Sequence, residues 1–189
     1  MSKVIVETSA RHMHLTQAAV DALFGAGYQL TKKKDLSQPG QYACAEKVEV
    51  IGPKGSLMMS ILGPTRPEDQ VEVSFTDARA LGITAPVRES GDIAGTPGVT
   101  LKVGENTYEM KEGVIVAKRH IHLTPAAAAE FGVQDKQIVK VKVAGPGRTT
   151  IFDDVVIRVK DSFAPAMHID TDECNAAAAF GAIEGEIIA

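Results

Sequence analysis

Four of the five histidines in the chain share one spacing, His12-Met-His14 and His120-Ile-His122. On a β-strand, residues two apart point to the same face, so each pair can aim both imidazoles at one point. Neutral imidazole is the commonest metal ligand, and a catalytic zinc takes three protein ligands and keeps a fourth position open. A lone pair of this kind also fits ordinary surface histidines. Two copies in register point instead to a duplicated ligand set.

The duplication extends beyond the histidines. Arg11-His-Met-His-Leu-Thr16 recurs as Arg119-His-Ile-His-Leu-Thr124, each after an apolar run (Val4 to Val6, Val114 to Val116). Val48-Glu-Val-Ile-Gly-Pro53 is echoed by Val141-Lys-Val-Ala-Gly-Pro146. A looser third match sets Glu72 and Thr76-Asp77 against His168 and Thr171-Asp172, each read as a strand running into a Thr-Asp helix start. Internal repetition of this order implies two homologous units with a pseudo-twofold relation. It proposes two sites, His12, His14 and Glu72 in one and His120, His122 and His168 in the other. All five histidines are then used. Taken singly, Glu72 also fits a solvated strand and His168 a buried core position.

The elements needed to position these residues are legible in outline. Period-two alternation over 47–50, 71–73, 99–103, 138–143 and 155–159 reads as half-buried strands. Turns fall at Gly52-Pro53, Gly63-Pro64, Pro97-Gly98 and Gly145-Pro146-Gly147. Thr16 caps a helix over Gln17 to Phe24 that stops at Gly25. Thr124 with Pro125 opens a second, over Ala126 to Phe131, closed by Gly132. Short strands with brief helices predict small barrels or sandwiches rather than a doubly wound sheet, and so a mainly β chain.

Composition narrows the function. At 189 residues with 44% hydrophobic and 23% charged residues, the chain can bury a core as one domain or two small ones. A net charge of −4 offers no basic field for nucleic acid. No apolar run is long enough for a membrane span, and the first eight residues are too polar for a signal peptide. Cys44 and Cys174 form no C-x-x-C pair. They read as small buried residues in a reducing, intracellular setting.

Several motifs are together specific: Arg119-His-Ile-His-Leu, Gly63-Pro64-x-Arg66, Gln70-Val-Glu72-x-Ser74, Thr76-Asp-Ala-Arg79, Ser90-Gly-Asp-x-x-Gly-Thr-Pro-Gly98 and Met167-His-Ile-Asp-Thr-Asp-Glu173. The combination resembles the PduL-type phosphate propanoyltransferases, or phosphotransacylases, over nearly the whole chain. The resemblance implies an acyl-CoA and phosphate exchanged for an acyl phosphate and free CoA, with two zinc ions on the two ligand sets already named. It implies two β-barrels capped by short helices, one of residues 1–10 plus 118–189 and one of residues 11–117, with the active site at their interface. It also implies a homodimer, and Arg66 as the catalytic, phosphate-binding residue. Ala166 and Cys174 depart from the family pattern, which leaves local packing open there.

Microcompartment-associated members carry an amphipathic helix ahead of the first strand. Here Val4 follows almost at once, so the expectation is a cytoplasmic member or one whose leading helix has been removed.

A phosphate dianion and a developing oxyanion both suit paired cations and a guanidinium fork. Zinc can also stabilise a departing thiolate. No nucleophile–base pair is evident, which points to direct transfer without an acyl-enzyme, from acetyl- or propanoyl-CoA. Arg79, read as lying in the first turn of its helix, either binds substrate or makes a salt bridge. Lys33 and Lys34, in the Lys32–Lys34 run, are either a solvated loop or contacts to CoA phosphates. The Ser90–Gly98 loop matches no phosphate-loop spacing. Two alternatives stand: a dizinc thioesterase using metal-bound hydroxide, and a non-catalytic zinc-stapled module with closed sites. Three imidazoles also suit cobalt, nickel or copper.

Overall fold

The computed structural model describes residues 2–188, and the chain folds as two compact units. One comprises the residues up to Ser9, the short piece Ser37–Pro39 and everything from Lys118 onward; the other comprises Ala10–Leu36 and Gly40–Ala117. The architecture is mainly β with short helices, as the alternation predicts.

The first unit is a closed barrel. It is built from β1 (Lys3–Thr8), β11 (His120–Leu123), β12 (Ile138–Gly145), β13 (Arg148–Val159), β14 (Ala166–Ile169) and β15 (Ile183–Ile188), numbered in chain order. Around the barrel the strands run β1-β14-β11-β13-β12-β15, and β15 returns to β1 through the antiparallel pairs Lys3↔Glu186 to Val6↔Ile183. On β12, buried Val139, Val141 and Val143 alternate with exposed neighbours, as expected of a strand with one face on a core. Inside lie Val4, Val6, Ile121, Leu123, Ile157 and Met167.

The second unit holds β2 (His12–His14), β3 (Lys32–Asp35), β4 (Tyr42–Ile51), β5 (Ser56–Gly63), β6 (Gln70–Glu72), β7 (Val87–Arg88), β8 (Val99–Val103), β9 (Asn106–Met110) and β10 (Val114–Ala117). Its sheet runs β7-β10-β6-β2-β5-β4-β8-β9, with β3 paired to β4. Six of these strands repeat the barrel in order and sense. The run β10-β6-β2-β5-β4-β8 matches β1-β14-β11-β13-β12-β15, with β2 parallel to β5 and antiparallel to β6 as β11 is to β13 and β14. In the barrel, β1 and β15 join; in the sheet, β10 and β8 instead take β7 and β9 as outer neighbours. Each hairpin of the repeat, β4–β5 and β12–β13, turns at its Gly-Pro.

Four helices complete the fold: α1 (Gln17–Phe24), α2 (Phe75–Leu81), α3 (Pro125–Phe131) and α4 (Thr171–Ala177). The Thr16 and Thr124 hydroxyls accept from the backbone N–H groups of Ala19 and Ala127, the caps expected from sequence. The other two starts differ from the Thr-Asp reading. Ser74 caps α2 and Asp170 caps α4, each in a reciprocal capping box with Asp77 and Glu173. Thr76 lies two positions and Thr171 one position too late, because the extended backbone needed at a cap falls on Ser74 and Asp170. Arg79 is accordingly in the last turn of α2, not the first. Lys32–Lys34 is strand rather than loop. Among the described residues no helix is long and apolar enough to cross a membrane.

Ala166 is buried, and buried Cys174 directs its Sγ to the Ala179 carbonyl at 3.2 Å. Gly145, at the end of β12, lets the last turn of α4 approach the hairpin. A Cβ there would lie 1.8 Å from the Ala177 carbonyl oxygen. Gly147, two residues on, faces open space at φ +68°. Gly145→Ala should therefore cost about 2 kcal/mol or more, as overpacking against backbone, and Gly147→Ala only about 1 kcal/mol for its left-handed φ. Urea unfolding of the two variants checks the order.

Candidate metal centres

Each trio is assembled by strand register. In the antiparallel pair β2–β6, His12 lies directly opposite Glu72; in β11–β14, His120 lies directly opposite His168. Directly opposed residues share a face, and His14 and His122 share it too, two positions along. The result is two groups, His12, His14, Glu72 and His120, His122, His168, within each of which one ligand atom per residue lies within 4.8 Å of the others. Glu72 is buried, not a solvated strand residue.

Ring orientation is set by contacts at the other nitrogen. The Nδ1 of His12 lies 2.8 Å from the Ala10 carbonyl, that of His14 3.2 Å from Leu62, and that of His120 2.8 Å from Lys118. A carbonyl only accepts, so in the neutral rings these nitrogens carry the hydrogen and Nε2 holds the lone pair. His12 Nε2 sits 3.5 Å from Glu72 Oε2. In the other trio the rings of His120, His122 and His168 crowd together at centroid separations of 4.7 to 5.1 Å. Among the described residues the buried Nδ1 of His122 has no hydrogen-bond partner. A buried ring nitrogen left without a partner is costly unless something electrophilic meets it.

The electrostatics keep two of these rings, His14 and His122, neutral. Burial, followed by the charges of His12 and Arg66, lowers the pKa of His14 to about 3. Burial, then His120, His168 and Arg158, lowers that of His122 to about 2. Neutral nitrogen is the metal-binding form. The donor sets, three imidazoles in one trio and two with a carboxylate in the other, fit zinc chemistry and also that of other first-row divalent metals.

Around Glu72 lies a network that spacing did not single out. Gln70 donates from Nε2 to Glu72 Oε1 at 2.7 Å and to Ser90 Oγ at 2.8 Å, and its Oε1 accepts from Gly91 N–H at 2.7 Å. Arg66 Nη1 reaches Ser90 Oγ at 3.4 Å. The Ser90-Gly91 loop thus holds the glutamine that holds the carboxylate. Gln70 could have been found from its place two residues before Glu72, on the same strand face.

A second repeated device follows each trio. Arg11 pairs with Asp77 at 2.6 Å, and Arg119 with Glu173 at 3.3 Å. In each repeat, the arginine preceding the histidine pair grips the third residue of the helix that follows the third ligand. Burial raises Glu173 to about 7, the Arg119 charge only partly offsetting it. Arg79 is exposed on α2, and Lys33 and Lys34 are exposed on β3. Among the described residues none of these three hydrogen-bonds or ion-pairs with a trio member.

Fold and site together define a duplicated β protein that presents two clusters of three metal-type donors. A family model described as phosphate propanoyltransferase matches residues 5–180. Curated relatives of that name include one from Listeria monocytogenes, 56% identical over 186 residues (98% of this chain, 87% of the relative). Another, from Enterococcus faecalis, is 60% identical over 172 residues (90% and 81%), and one from Thermotoga maritima 54% over 176 (92% and 83%). The chain belongs to the phosphate propanoyltransferase family.

The depressed histidine values carry a sign. Unfolded, these rings titrate near 6.5; folded, His14 and His122 titrate near 3 and 2. Between those limits the unfolded chain binds more protons, so their stabilising contribution is complete above about pH 6.5 and is lost as pH falls toward the folded values. In chelator-treated protein, the melting temperature should drop as pH is lowered from 6.5 to 4, and less steeply in His122→Gln. Calorimetry across that range tests it.

Proposed function

We propose that the chain is a phosphotransacylase that converts a short-chain acyl-CoA and phosphate to acyl phosphate and CoA, with two zinc ions held by the two trios. The observation that carries this reading is the pair of pre-organised three-donor clusters in a member of an acyltransferase family. When bound, zinc would supply Lewis-acid stabilisation of the carbonyl oxygen, of phosphate and of the leaving thiolate.

The chain's own residues do the rest. His12, His14 and Glu72 would hold one cation and His120, His122 and His168 the other. Gln70 fixes the Glu72 carboxylate, so that ligand does not rotate away. Arg66, whose charge is felt at His14, offers a planar fork that matches two phosphate oxygens. A phosphate oxygen then bonds to the acyl carbon as the carbon–sulfur bond breaks, and the sulfur leaves as CoA thiolate and takes the proton that hydrogenphosphate gives up. Both thiols are buried, and burial raises Cys44 to about 11. That suits neither to nucleophilic attack and supports direct transfer. Exposed Lys33, Lys34 and Arg79 are assigned to the CoA phosphates.

The test is CoA release from acetyl- and propanoyl-CoA with phosphate as the variable. Release should depend on phosphate and be faster for one of the two acyl groups; release without phosphate would identify a thioesterase instead. His12→Ala and His120→Ala should each lower turnover at least a thousandfold while the protein stays folded by circular dichroism. Arg66→Lys should raise the KM for phosphate more than tenfold and leave that for acyl-CoA nearly unchanged. Labelled acyl group retained on the protein in the absence of phosphate would overturn direct transfer.

A further inference from the structure

We propose that Glu7 is a positioning residue for His168, held in place by Ser37, so that a dipeptide far away in sequence tunes the three-histidine centre. The inference rests on the ligand assignment above and deepens it.

In the parallel pair β1–β14, Glu7 lies beside His168. Its Oε2 is 3.7 Å from His168 Nδ1. That is beyond hydrogen-bond reach, so the carboxylate acts on the ring by its charge. A negative charge at this edge favours hydrogen on Nδ1 and leaves Nε2 as the lone-pair nitrogen that faces the metal. Carboxylates behind metal-bound histidines do this, and their loss commonly costs 10–100-fold in metal affinity.

The same Oε2 accepts a hydrogen bond from Ser37 Oγ. The serine is anchored by its neighbour: buried Gln38 donates to the Ala164 carbonyl at 2.9 Å and accepts from the Ala164 N–H at 3.2 Å, as a strand partner would. Next to Ala164, the Phe163 ring lies on His122 with centroids 4.1 Å apart. Ser37–Pro39 groups with the barrel although its flanking sequence does not. One inserted dipeptide therefore touches the supports of two of the three histidines. In the Glu72 centre it is a neutral glutamine, Gln70, that donates to the third ligand.

The experiment isolates the two centres in the full-length protein. His12→Ala leaves the three-histidine trio as the intact site, and His120→Ala leaves the other. Cobalt(II) binding is followed by its visible absorption, and zinc affinity by competition with a chromophoric chelator. In the His12→Ala background, Glu7→Gln should weaken binding 10–100-fold. Ser37→Ala should act in the same direction by a smaller factor, and Ser37→Thr should restore affinity. In the His120→Ala background Glu7→Gln should change nothing.

Affinity within twofold in the first background, or equal loss in both, overturns the role. The Ser37 pair decides if Glu7→Gln does not fold. If His12→Ala protein binds no metal at all, the ligand assignment itself fails and Glu7 has nothing to position. If it binds metal but ignores Glu7, only the positioning role falls.

Discussion

Strand register is the constraint from which the rest of the structure follows. A trio exists only if His12 faces Glu72 and His120 faces His168 across antiparallel pairs. A slip of one residue would turn every side chain to the opposite face and scatter the donors. What forbids the slip is the residue between the histidines. Met13 and Ile121 are wholly buried, set opposite Val71 and Met167 in the two cores. Burying such a side chain contributes about 1.5–3 kcal/mol, and a slip would forfeit it on both strands at once. The apolar face thus specifies the position of the polar one.

Polarity on that second face is costly, and the fold handles it locally. Burial holds His14 and His122 well below the usual histidine range, and His12, His14 and His120 give their Nδ1 hydrogen to a backbone carbonyl. The arginine ahead of each pair is drawn to an acid in a helix capping box, Asp77 or Glu173. One acidic residue therefore closes a helix start and ties the histidine strand to it. Duplication preserved this scheme even where the acid and the cap changed identity.

Much of this was legible because it is periodic or repeated. The histidine pairs, the alternating valines of β12 and the threonine caps of α1 and α3 follow from local spacing. Glu72 and His168 required the repeat, since neither stands out alone. The starts of α2 and α4 misled: Thr-Asp is a good local signal, but Ser74 and Asp170 are the residues that adopt extended backbone and complete a capping box. Gln70 was within reach through its alternation with Glu72. Glu7, Ser37 and Gln38 were not, because their meaning lies in contacts that join β1, a short insertion and the loop before β14. Spacing along the chain carries no trace of such pairings. The different outer neighbours of β8 and β10, against the closure of β1 on β15, are likewise invisible to a repeat that matches only the inner strands.

Barrel closure by β1 and β15 has a consequence for biosynthesis. The partners of β1, which are β14 and β15 through pairs such as Val6↔Met167 and Val6↔Ile183, are made well after it. By then the central sheet, complete by Ala117, has all its strands available. Domains generally fold as units during synthesis, and pairings between distant segments are slow. Until β14 and β15 are made, β1 therefore lacks its barrel partners, with Val4 and Val6 uncovered. Exposed Lys3 places a charge on this waiting strand, a device that discourages edge-to-edge pairing.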